Sequence, residues 1–395
     1  MSATMLIGYD ASRAFVGERT GTENYSYYLL KEMLSCDRNN AYRIFLRVPT
    51  ESWQKDERKK WFAWVKESLP KTNNYSLHVI ESKRFWTQWG LAMALRKRKV
   101  DVLFVPAHTL PVFLPVKIKT VVTIHDLGYE YLPQYHQFPH KLWLTYFTEY
   151  AVHHADRIIA VSEATKEDII HKLSASQMKI SVVYEGFHIT PKNSEKRLSE
   201  LLNKYSLRNR NYLLYIGTIQ PRKNLERLVE AFSLALRKYK LQDKLPDFKL
   251  VLIGKKGWMS EEIYQAPARF GMEEYVKFLG YISDEDTHEL LRASRALVFP
   301  SLFEGFGLPI IEAQSEGVPV LTSGRRPMTE VGGDAAFYVD PLSVESIAEG
   351  IVTISCDEAQ RKYLISHCKK NVKRFSWKNA ARETIAVLED VVRGV

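Results

Sequence analysis

Cysteine and long apolar segments are both scarce in this sequence. Its 395 residues include three cysteines, with no CxxC pair and no histidines at zinc-ligand spacing, so neither a disulfide framework nor a structural metal is predicted. No run approaches the ~20 apolar residues of a membrane span, and the first residues do not resemble a signal peptide. We therefore expect a cytoplasmic protein that does not span a membrane. The cysteines are Cys36, Cys356 and Cys368.

Compositionally biased tracts are also absent, while basic residues are in excess. The chain is 45% hydrophobic and 26% charged, which is typical of a globular enzyme. Its length exceeds what one hydrophobic core usually organises, so two domains are predicted. The 56 basic and 46 acidic residues give a formal charge of +10, which favours an anionic partner: nucleic acid, an acidic lipid surface or a phosphorylated substrate.

Short apolar runs rich in β-branched residues alternate with longer stretches of helical periodicity. This alternation predicts an α/β fold with parallel sheets and crossover helices. The predicted strands of the first half are residues 5–9, 43–47, 102–105, 120–124, 157–161 and 180–183. Those of the second half are residues 212–216, 249–253, 276–278, 296–299 and 318–321.

The segment between the two sets of strands is polar, charged and contains a proline. Residues 190–197 therefore read as an interdomain linker. We expect a first domain over residues 1–190 and a second over residues 191–374. Residues 375–395 contain a predicted amphipathic helix with Ser376 as its N-cap.

Two carboxylates flank a glycine-containing loop after the predicted strand 296–299. Glu304 lies in the loop, and Glu312 lies about one turn into the helix that Pro309 is suited to begin. The free N–H groups at a helix start bind anions, and glycines let the backbone approach a ligand closely. Two carboxylates beside an anion site need hydrogen-bond donors such as sugar hydroxyls.

The string from Glu304 to Glu312 resembles the E-x7-E signature of the retaining glycosyltransferases of family 4, which have the GT-B fold. The resemblance extends over nearly the whole chain. It implies two Rossmann-like domains whose parallel sheets face an interdomain cleft, with the terminal helix crossing back to the first domain. It also implies transfer of a sugar, with retention of configuration, from a nucleotide diphosphate donor to a hydroxyl of a glycan or glycolipid. The first domain would then bind the acceptor and the second the nucleotide sugar.

The resemblance assigns roles to residues of the second half. Glu304 would contact the transferred sugar and Glu312 the ribose hydroxyls, while Arg222 and Lys223 would neutralise the diphosphate as it departs. Such fixed cations stabilise developing negative charge without a metal. The other donor-binding residues implied are Gly305, Phe306, Gly307, Leu308, Gly217, Gly254 and Tyr281.

In the first half, His125 follows the predicted strand 120–124, at the strand end where α/β ligand sites gather. Alone, a histidine there is more often a structural hydrogen-bonding group, but the family places one near the donor sugar. Gly21 and Thr22 resemble the family's glycine loop, which faces the diphosphate and acceptor. This loop departs from the commoner form with several glycines.

Two further segments suggest other sites. Asp284, Glu285 and Asp286 have the D-x-D form that another glycosyltransferase fold uses to hold a divalent cation. We expect them to begin a helix instead, where acidic groups complement the helix dipole, and we expect no required metal or other cofactor. Residues 83–99 combine aromatic and basic residues, so they form either a packed helix or an interfacial helix touching an anionic membrane.

Several functional alternatives remain open at this stage. The contexts of Gly21 and His125 favour a mannosyltransferase-like enzyme that uses GDP-mannose, but UDP-linked donors remain open. A sugar-nucleotide epimerase or hydrolase could use the same scaffold. A nucleic-acid-binding protein would use the positive charge, although the basic residues are dispersed and no recognition motif is present.

Overall fold

The computed structural model describes residues 4–17, 19–49, 54–82, 85–115, 118–131 and 140–394. By their contacts, these residues form two compact units, each built around one parallel sheet. Of the described residues, the first unit contains those between 4 and 129, 140 and 186, and 376 and 394, and the second contains residues 130–131 and 187–375.

The first unit has a seven-stranded sheet with the order β3-β2-β1-β4-β5-β6-β7 and parallel pairing throughout its described ladders. Its inner strands are apolar and buried on both faces, as expected when crossover helices cover a parallel sheet. The strands are β1 Leu6–Asp10, β2 Ala41–Arg47, β3 Tyr75–Ile80, β4 Val102–Val105, β5 Lys119–Ile124, β6 Arg157–Ala160 and β7 Ile180–Val182.

Helices pack on this sheet with recognisable local signals at their ends. Helix α1 begins with a capping box, in which Thr20 and Glu23 satisfy each other's backbone N–H groups. The helices are α1 Gly21–Cys36, α2 Lys55–Ser68, a π-helical turn Trp86–Leu91 that continues into α3 Ala92–Lys97, α4 Gly128–Tyr131, α5 His140–His154 and α6 Glu163–Leu173.

The second unit has a six-stranded parallel sheet with the order β10-β9-β8-β11-β12-β13. Its strands are β8 Tyr212–Ile216, β9 Lys249–Ile253, β10 Val276–Gly280, β11 Ala296–Phe299, β12 Val320–Ser323 and β13 Ala336–Val339. Its helices are α7 Glu195–Lys204, α8 Leu225–Arg237, α9 Leu241–Lys244, α10 Glu261–Phe270, α11 Asp284–Ala293, α12 Leu308–Ser315, α13 Met328–Gly332, α14 Val344–Cys356 and α15 Glu358–Val372.

The last helix, α16 Trp377–Arg393, belongs to the first unit, where it packs along α1. The Trp377 ring lies between Tyr25 and Tyr28, at centroid distances of 5.8 and 5.9 Å. Gly186, distant in sequence, lies so close to the start of α16 that a Cβ on it would be 2.1 Å from the Trp377 backbone nitrogen. The helix is therefore docked by aromatic packing and by a glycine that no larger residue can replace without a shift.

The α/β class with two parallel sheets is confirmed, and the eleven predicted strands are all present with small changes at their ends. Two edge strands, β3 and β13, were not predicted. The segment 190–197 is not wholly irregular, because Ser194 caps helix α7 and its hydroxyl accepts the Arg197 N–H. Thr190 is buried, and its carbonyl accepts a hydrogen bond from Arg292 of α11. Among the described residues, no helix is long and apolar enough to cross a membrane.

Candidate functional site

The loop between β11 and α12 ends at a glycine with positive φ, where the helix begins. Gly307 has φ +113°, a conformation that favours glycine, and it is the N-cap of α12. Leu308 and Pro309 form the first turn, and Gly307 accepts the Ile310 N–H at 3.0 Å. Phe306 is buried and packs edge to face on Phe375 at 5.6 Å. The start of α12 is thus held rigidly, with its positive dipole end at the loop.

Glu304 is buried in this loop, and two cations bind its carboxylate. Arg222 donates from Nη1 to Oε2 at 3.1 Å, and Lys223 donates from Nζ to Oε1. Arg222 also donates to the Phe303 carbonyl at 3.1 Å. The site therefore carries two positive charges and one negative charge among side chains that are at most 23% exposed.

The balance of forces at Glu304 favours the charged carboxylate. Burial alone would raise the pKa of Glu304, but the charges of Lys223 and Arg222 outweigh burial and hold that pKa below its ordinary value. Arg222 and Lys223 thus place two cationic side chains around one carboxylate in this loop. Largely buried cations beside a helix N-terminus are suited to bind an anion.

Asn224 fixes the two cations in place, and sequence reasoning did not identify it. It follows the 3₁₀ turn Pro221–Lys223 and has φ +62°, a left-handed conformation that asparagine tolerates. Its Nδ2 donates to the carbonyls of Pro300 at 3.0 Å and Pro341 at 2.7 Å. The sequence does contain a signal for this role, because an asparagine between a proline-containing turn and an apolar helix is typical of a left-handed residue at a helix start.

The carboxyl ends of β8, β9 and β10 meet at three glycines. Gly217 donates its N–H to the Ile253 carbonyl, and Gly254 donates to the Gly280 carbonyl, both at 2.9 Å. A Cβ on Gly254 would lie 1.9 Å from the Gly217 oxygen, so this close backbone approach requires glycine. Tyr281 follows at once; it is 44% exposed, with the Lys255 ammonium 5.1 Å from its ring centroid.

Glu312 lies half-buried on α12, next to a buried ionic cluster. His288 and Arg292 of α11 face Glu316, the Arg292 contacts being 2.7 and 2.8 Å. Burial opposes protonation of His288, but the Glu316 carboxylate, 3.7 Å away, and the charge of Glu312 raise its pKa. Glu312 is therefore within electrostatic range of His288, a buried histidine that the sequence did not reveal, and its charge favours the protonated form of that histidine.

In the first unit, His125 is buried directly after β5, and both of its ring nitrogens have partners. Nδ1 lies 3.3 Å from Glu185 Oε1, and Nε2 lies 3.0 Å from the Pro106 carbonyl. The Tyr25 ring meets His125 edge to face at 4.6 Å. Burial, reinforced by electrostatic repulsion between the two histidines, lowers the pKa of the neighbouring His108 to about 3. Glu185 is a second residue that no sequence motif indicated.

Gly21 and Thr22 are the first two residues of α1 rather than part of an irregular loop. Gly21 is exposed, and a Cβ placed on it would meet nothing within 4 Å. Arg13 pairs with Glu23 of the same first turn at 3.3 Å. These residues thus lie at a helix N-terminus, which is where an anion binds most readily.

The D-x-D segment begins helix α11. The Ser283 hydroxyl caps the helix by accepting the Asp286 N–H at 3.1 Å, and Asp286 pairs with Arg197 at 2.9 Å. Within the described ranges there is no group of three or more His, Cys, Asp or Glu side chains that could hold a metal ion. The acidic residues of this segment therefore lie in the first turn of α11, where they complement the helix dipole, and Asp286 also forms an ion pair.

Two protein families match the two halves of the chain. The family described as Glycosyltransferase Family 4 matches residues 19–190, and the family described as Glycosyl transferases group 1 matches residues 199–371. The O-antigen chain mannosyltransferase B of Escherichia coli is 32% identical over 309 residues, which are 78% of this chain and 79% of that protein. The serotype-specific mannosyltransferase WbdA of Escherichia coli is 31% identical over 71% of this chain, but this covers 34% of that larger protein.

Solved structures of the GT-B fold match nearly the whole length of the chain. Anabaena Alr3699/HepE, in a crystal structure with UDP and glucose, has a TM-score of 0.73 at 18% identity, covering 98% of this chain and 100% of that one. Sucrose-phosphate synthase from Thermosynechococcus elongatus has a TM-score of 0.73 at 16% identity, covering 99% and 100%. At these identities the likeness establishes the fold alone, and the predicted GT-B fold is confirmed.

Proposed function

This chain belongs to the family 4 glycosyltransferases, with a group 1 glycosyl transferase domain in its second half, and we propose that it transfers a sugar from a nucleoside diphosphate donor with retention of configuration. The acceptor would be a hydroxyl of a glycan or of a lipid-linked glycan. The observation that carries the proposal is the buried cluster of Arg222, Lys223 and Glu304.

That cluster suits a diphosphate for electrostatic reasons. Its two cationic side chains are largely buried next to the first turn of α12, so a bound anion would meet both the fixed cations and the positive end of the helix dipole. Negative charge grows on the leaving phosphate during transfer, and preorganised cations stabilise it more than they stabilise the ground state. The proposal requires no metal; activity lost with EDTA and restored by manganese would contradict that part.

The remaining roles are proposed from the family resemblance. Glu304, held as a carboxylate, would accept hydrogen bonds from the sugar hydroxyls, and Glu312 would accept from the ribose. His125 would face the donor sugar, and Gly21 and Thr22 would offer the N-terminus of α1 to the diphosphate. Gly217, Gly254 and Tyr281 would border the base. In the retaining step, the leaving phosphate oxygen would take the acceptor proton on the same face of the sugar.

We propose mannose as the sugar and GDP-mannose as the donor. The support is the likeness to O-antigen chain mannosyltransferase B, which is 32% identical over most of both chains, together with that to WbdA. By the same likeness, the acceptor would be a growing surface polysaccharide. A UDP-linked sugar is the competing donor, since the Anabaena structure with UDP and glucose shares the fold.

Thermal unfolding with and without nucleotides tests the donor. A ligand that binds only the native state raises the unfolding temperature by mass action, so GDP and GDP-mannose should raise it and UDP and UDP-glucose should not. Glu312→Ala should weaken this shift, whereas Glu358→Ala, an exposed glutamate on α15, should not. If UDP compounds alone raised the unfolding temperature, the donor would be UDP-linked instead. If no nucleotide raised it, the proposed function would be contradicted.

Product analysis separates transfer from the related reactions. With GDP-mannose and a mannose-terminated oligosaccharide, NMR of the product should show the anomeric configuration of the donor retained. With donor alone, an epimerase or hydrolase would convert it at stoichiometric yield. A transferase should leave it largely intact.

A further inference from the structure

Six large apolar side chains are exposed on one part of the first unit. Each is between 43% and 63% accessible to solvent, and exposed apolar residues that cluster in this way mark interaction surfaces. They come from the helical stretch 85–97, the loop after β4 and helix α5. We name them the aromatic patch: Phe85, Trp89, Met93, Phe113, Trp143 and Tyr146.

Hydrogen bonds and ring contacts join the three segments. Gln88 donates to the Leu110 carbonyl at 3.0 Å and accepts the Val112 N–H at 2.7 Å. The Tyr150 hydroxyl of α5 donates to the Val112 carbonyl at 3.1 Å. The Phe85 and Trp143 rings lie 6.5 Å apart between centroids. The patch is therefore one surface, and its position is fixed by the core beneath it.

The helical stretch 85–97 is packed on one side only. Trp86, Leu91 and Leu95 are buried in the core of the unit, which bears out the expected packed helix. Phe85, Trp89 and Met93 recur every four residues on the exposed side. Lys83 and Arg84, which precede them in the sequence, lie outside the described residues. The two readings of this segment are thus compatible, because one face packs and the opposite face is exposed.

Positive charge flanks the helical part of the patch in the sequence. Residues 83–99 contain six Lys or Arg residues and no acidic residue. Residues 96–99 are four consecutive cations, all exposed, at the end of α3. The exposed aromatic and apolar side chains of this helical segment are therefore followed directly by exposed cations at its C-terminal end.

We propose that the aromatic patch docks on the surface of an anionic phospholipid bilayer. Tryptophan, tyrosine and phenylalanine rings favour the headgroup level, and adjacent Lys and Arg residues bind the lipid phosphates. A second copy of the chain fits this surface less well, because two such patches would bring their cations together. The inference concerns where the protein acts and does not rest on the identity of the donor.

Co-sedimentation of the full chain with vesicles tests the docking. Phosphatidylcholine vesicles should bind little protein, and an equal mixture of phosphatidylcholine and phosphatidylglycerol should bind it. The double variants Trp89→Ser with Phe113→Ser, and Arg96→Glu with Lys97→Glu, should each lower partitioning about tenfold or more. Matched controls on α15, Tyr363→Ser and Lys369→Glu with Lys370→Glu, change exposed residues elsewhere and should bind as the unaltered protein does.

Three results would overturn the docking proposal: equal binding to both vesicle types, no loss in either patch variant, or the same loss in the controls. Sedimentation velocity without lipid would reveal a dimer that Trp89→Ser with Phe113→Ser dissociates, and such a dimer would assign the patch to a second copy. Each variant must keep the unfolding temperature of the unaltered protein. Since the assay contains neither donor nor acceptor, its failure would leave the proposed transfer standing.

Discussion

Lys223 and Glu304, 81 residues apart in sequence, form a buried ion pair in which the ammonium donates to Oε1. Each side chain is 8% exposed, and Arg222 completes the cluster on Oε2. A buried charge is tolerated only when it is paired. The loss of Lys223 weakens the pairing of Glu304, which keeps its contact with Arg222, and the loss of Glu304 removes the carboxylate that binds both cations.

Lys223→Ala should therefore lower the free energy of unfolding by roughly 2 kcal/mol, less than for a buried charge left with no partner, because Arg222 still binds Glu304. Glu304→Gln should also destabilise the protein, and the double variant should lose less than the sum, because the two residues are coupled. Urea unfolding at neutral pH measures these differences. Lys256→Ala, which removes an exposed ion pair with Glu261, is the control and should cost at most about 1 kcal/mol. Additive effects in the double variant would show that the pair is not coupled.

Arg222→Ala should mainly reduce turnover. If Arg222 stabilises the departing diphosphate, the variant should lose about 3 kcal/mol of transition-state stabilisation, or roughly a hundredfold in kcat/KM. Arg222→Lys should recover part of this loss, since a cation remains but the planar fork does not. Arg269→Ala, at an exposed pair with Glu226, serves as the control. Unchanged turnover in Arg222→Ala would remove Arg222 from the mechanism.

The sequence predicts the interior strands of both sheets well and the edges poorly. β4 and β11 are continuous apolar runs, because helices cover them on both faces. β3 includes serine and histidine and is mostly half-exposed, and β13 is four residues long beside a glycine pair. At a sheet edge one side lacks a covering strand, so the apolar signal that identifies a strand is weaker.

The residues of the candidate site likewise include some that the sequence predicts and some that only the fold brings together. Motif spacing pointed to Glu304, Arg222 and Lys223 as separate residues, but their contact depends on how β8 and β11 pair in the sheet. Asn224 and Glu185 escaped notice because their roles depend on partners distant in the sequence, such as Pro341 and His125. Local patterns identify residue types, whereas the fold decides which residues meet.

Glu316 should govern part of the acid sensitivity of the second unit. Burial would raise its pKa, but His288 and Arg292 outweigh burial and lower it from 4.5 to about 2. A depressed folded-state pKa means that Glu316 stabilises the fold above pH 4.5 and that this contribution is lost as the pH falls from 4.5 through about 2. Glu316→Gln should lower the free energy of unfolding by roughly 2 kcal/mol at neutral pH. In this variant, the free energy of unfolding should also depend less on pH below 4.5.

Chemical unfolding between pH 7 and pH 3 measures the effect. Glu358→Gln is the matched control, because Glu358 is 69% exposed and its closest cations are 3.8 Å away. If Glu316→Gln and the control follow the same curve, the cluster around Arg292 does not contribute to acid sensitivity.

Gly254→Ala should be among the most destabilising substitutions in the second unit. Its Cβ would meet the Gly217 oxygen at 1.9 Å, and φ is +150°, so both backbone and neighbour must shift, at a cost of about 3 kcal/mol or more. Gly280→Ala is the control: φ is +70°, but nothing lies within 4 Å, so only about 1 kcal/mol of backbone strain is expected. Thermal unfolding of both variants decides whether the close approach, rather than φ alone, requires Gly254.

Gly21→Ala separates a structural from a functional glycine. Gly21 is the first residue of α1, its φ is not positive, and a Cβ there meets nothing, so the substitution should leave stability unchanged or raise it by up to about 1 kcal/mol. If the N-terminus of α1 approaches the diphosphate, the added methyl group should raise the donor KM or lower kcat. In the same variant, unfolding measurements should therefore show unchanged or higher stability, and steady-state kinetics should show lower catalytic efficiency. Unaltered kinetics in this variant would contradict the placement of Gly21 in the donor site. The fold itself does not require glycine at this position, so a change in kinetics would have to come from the donor site.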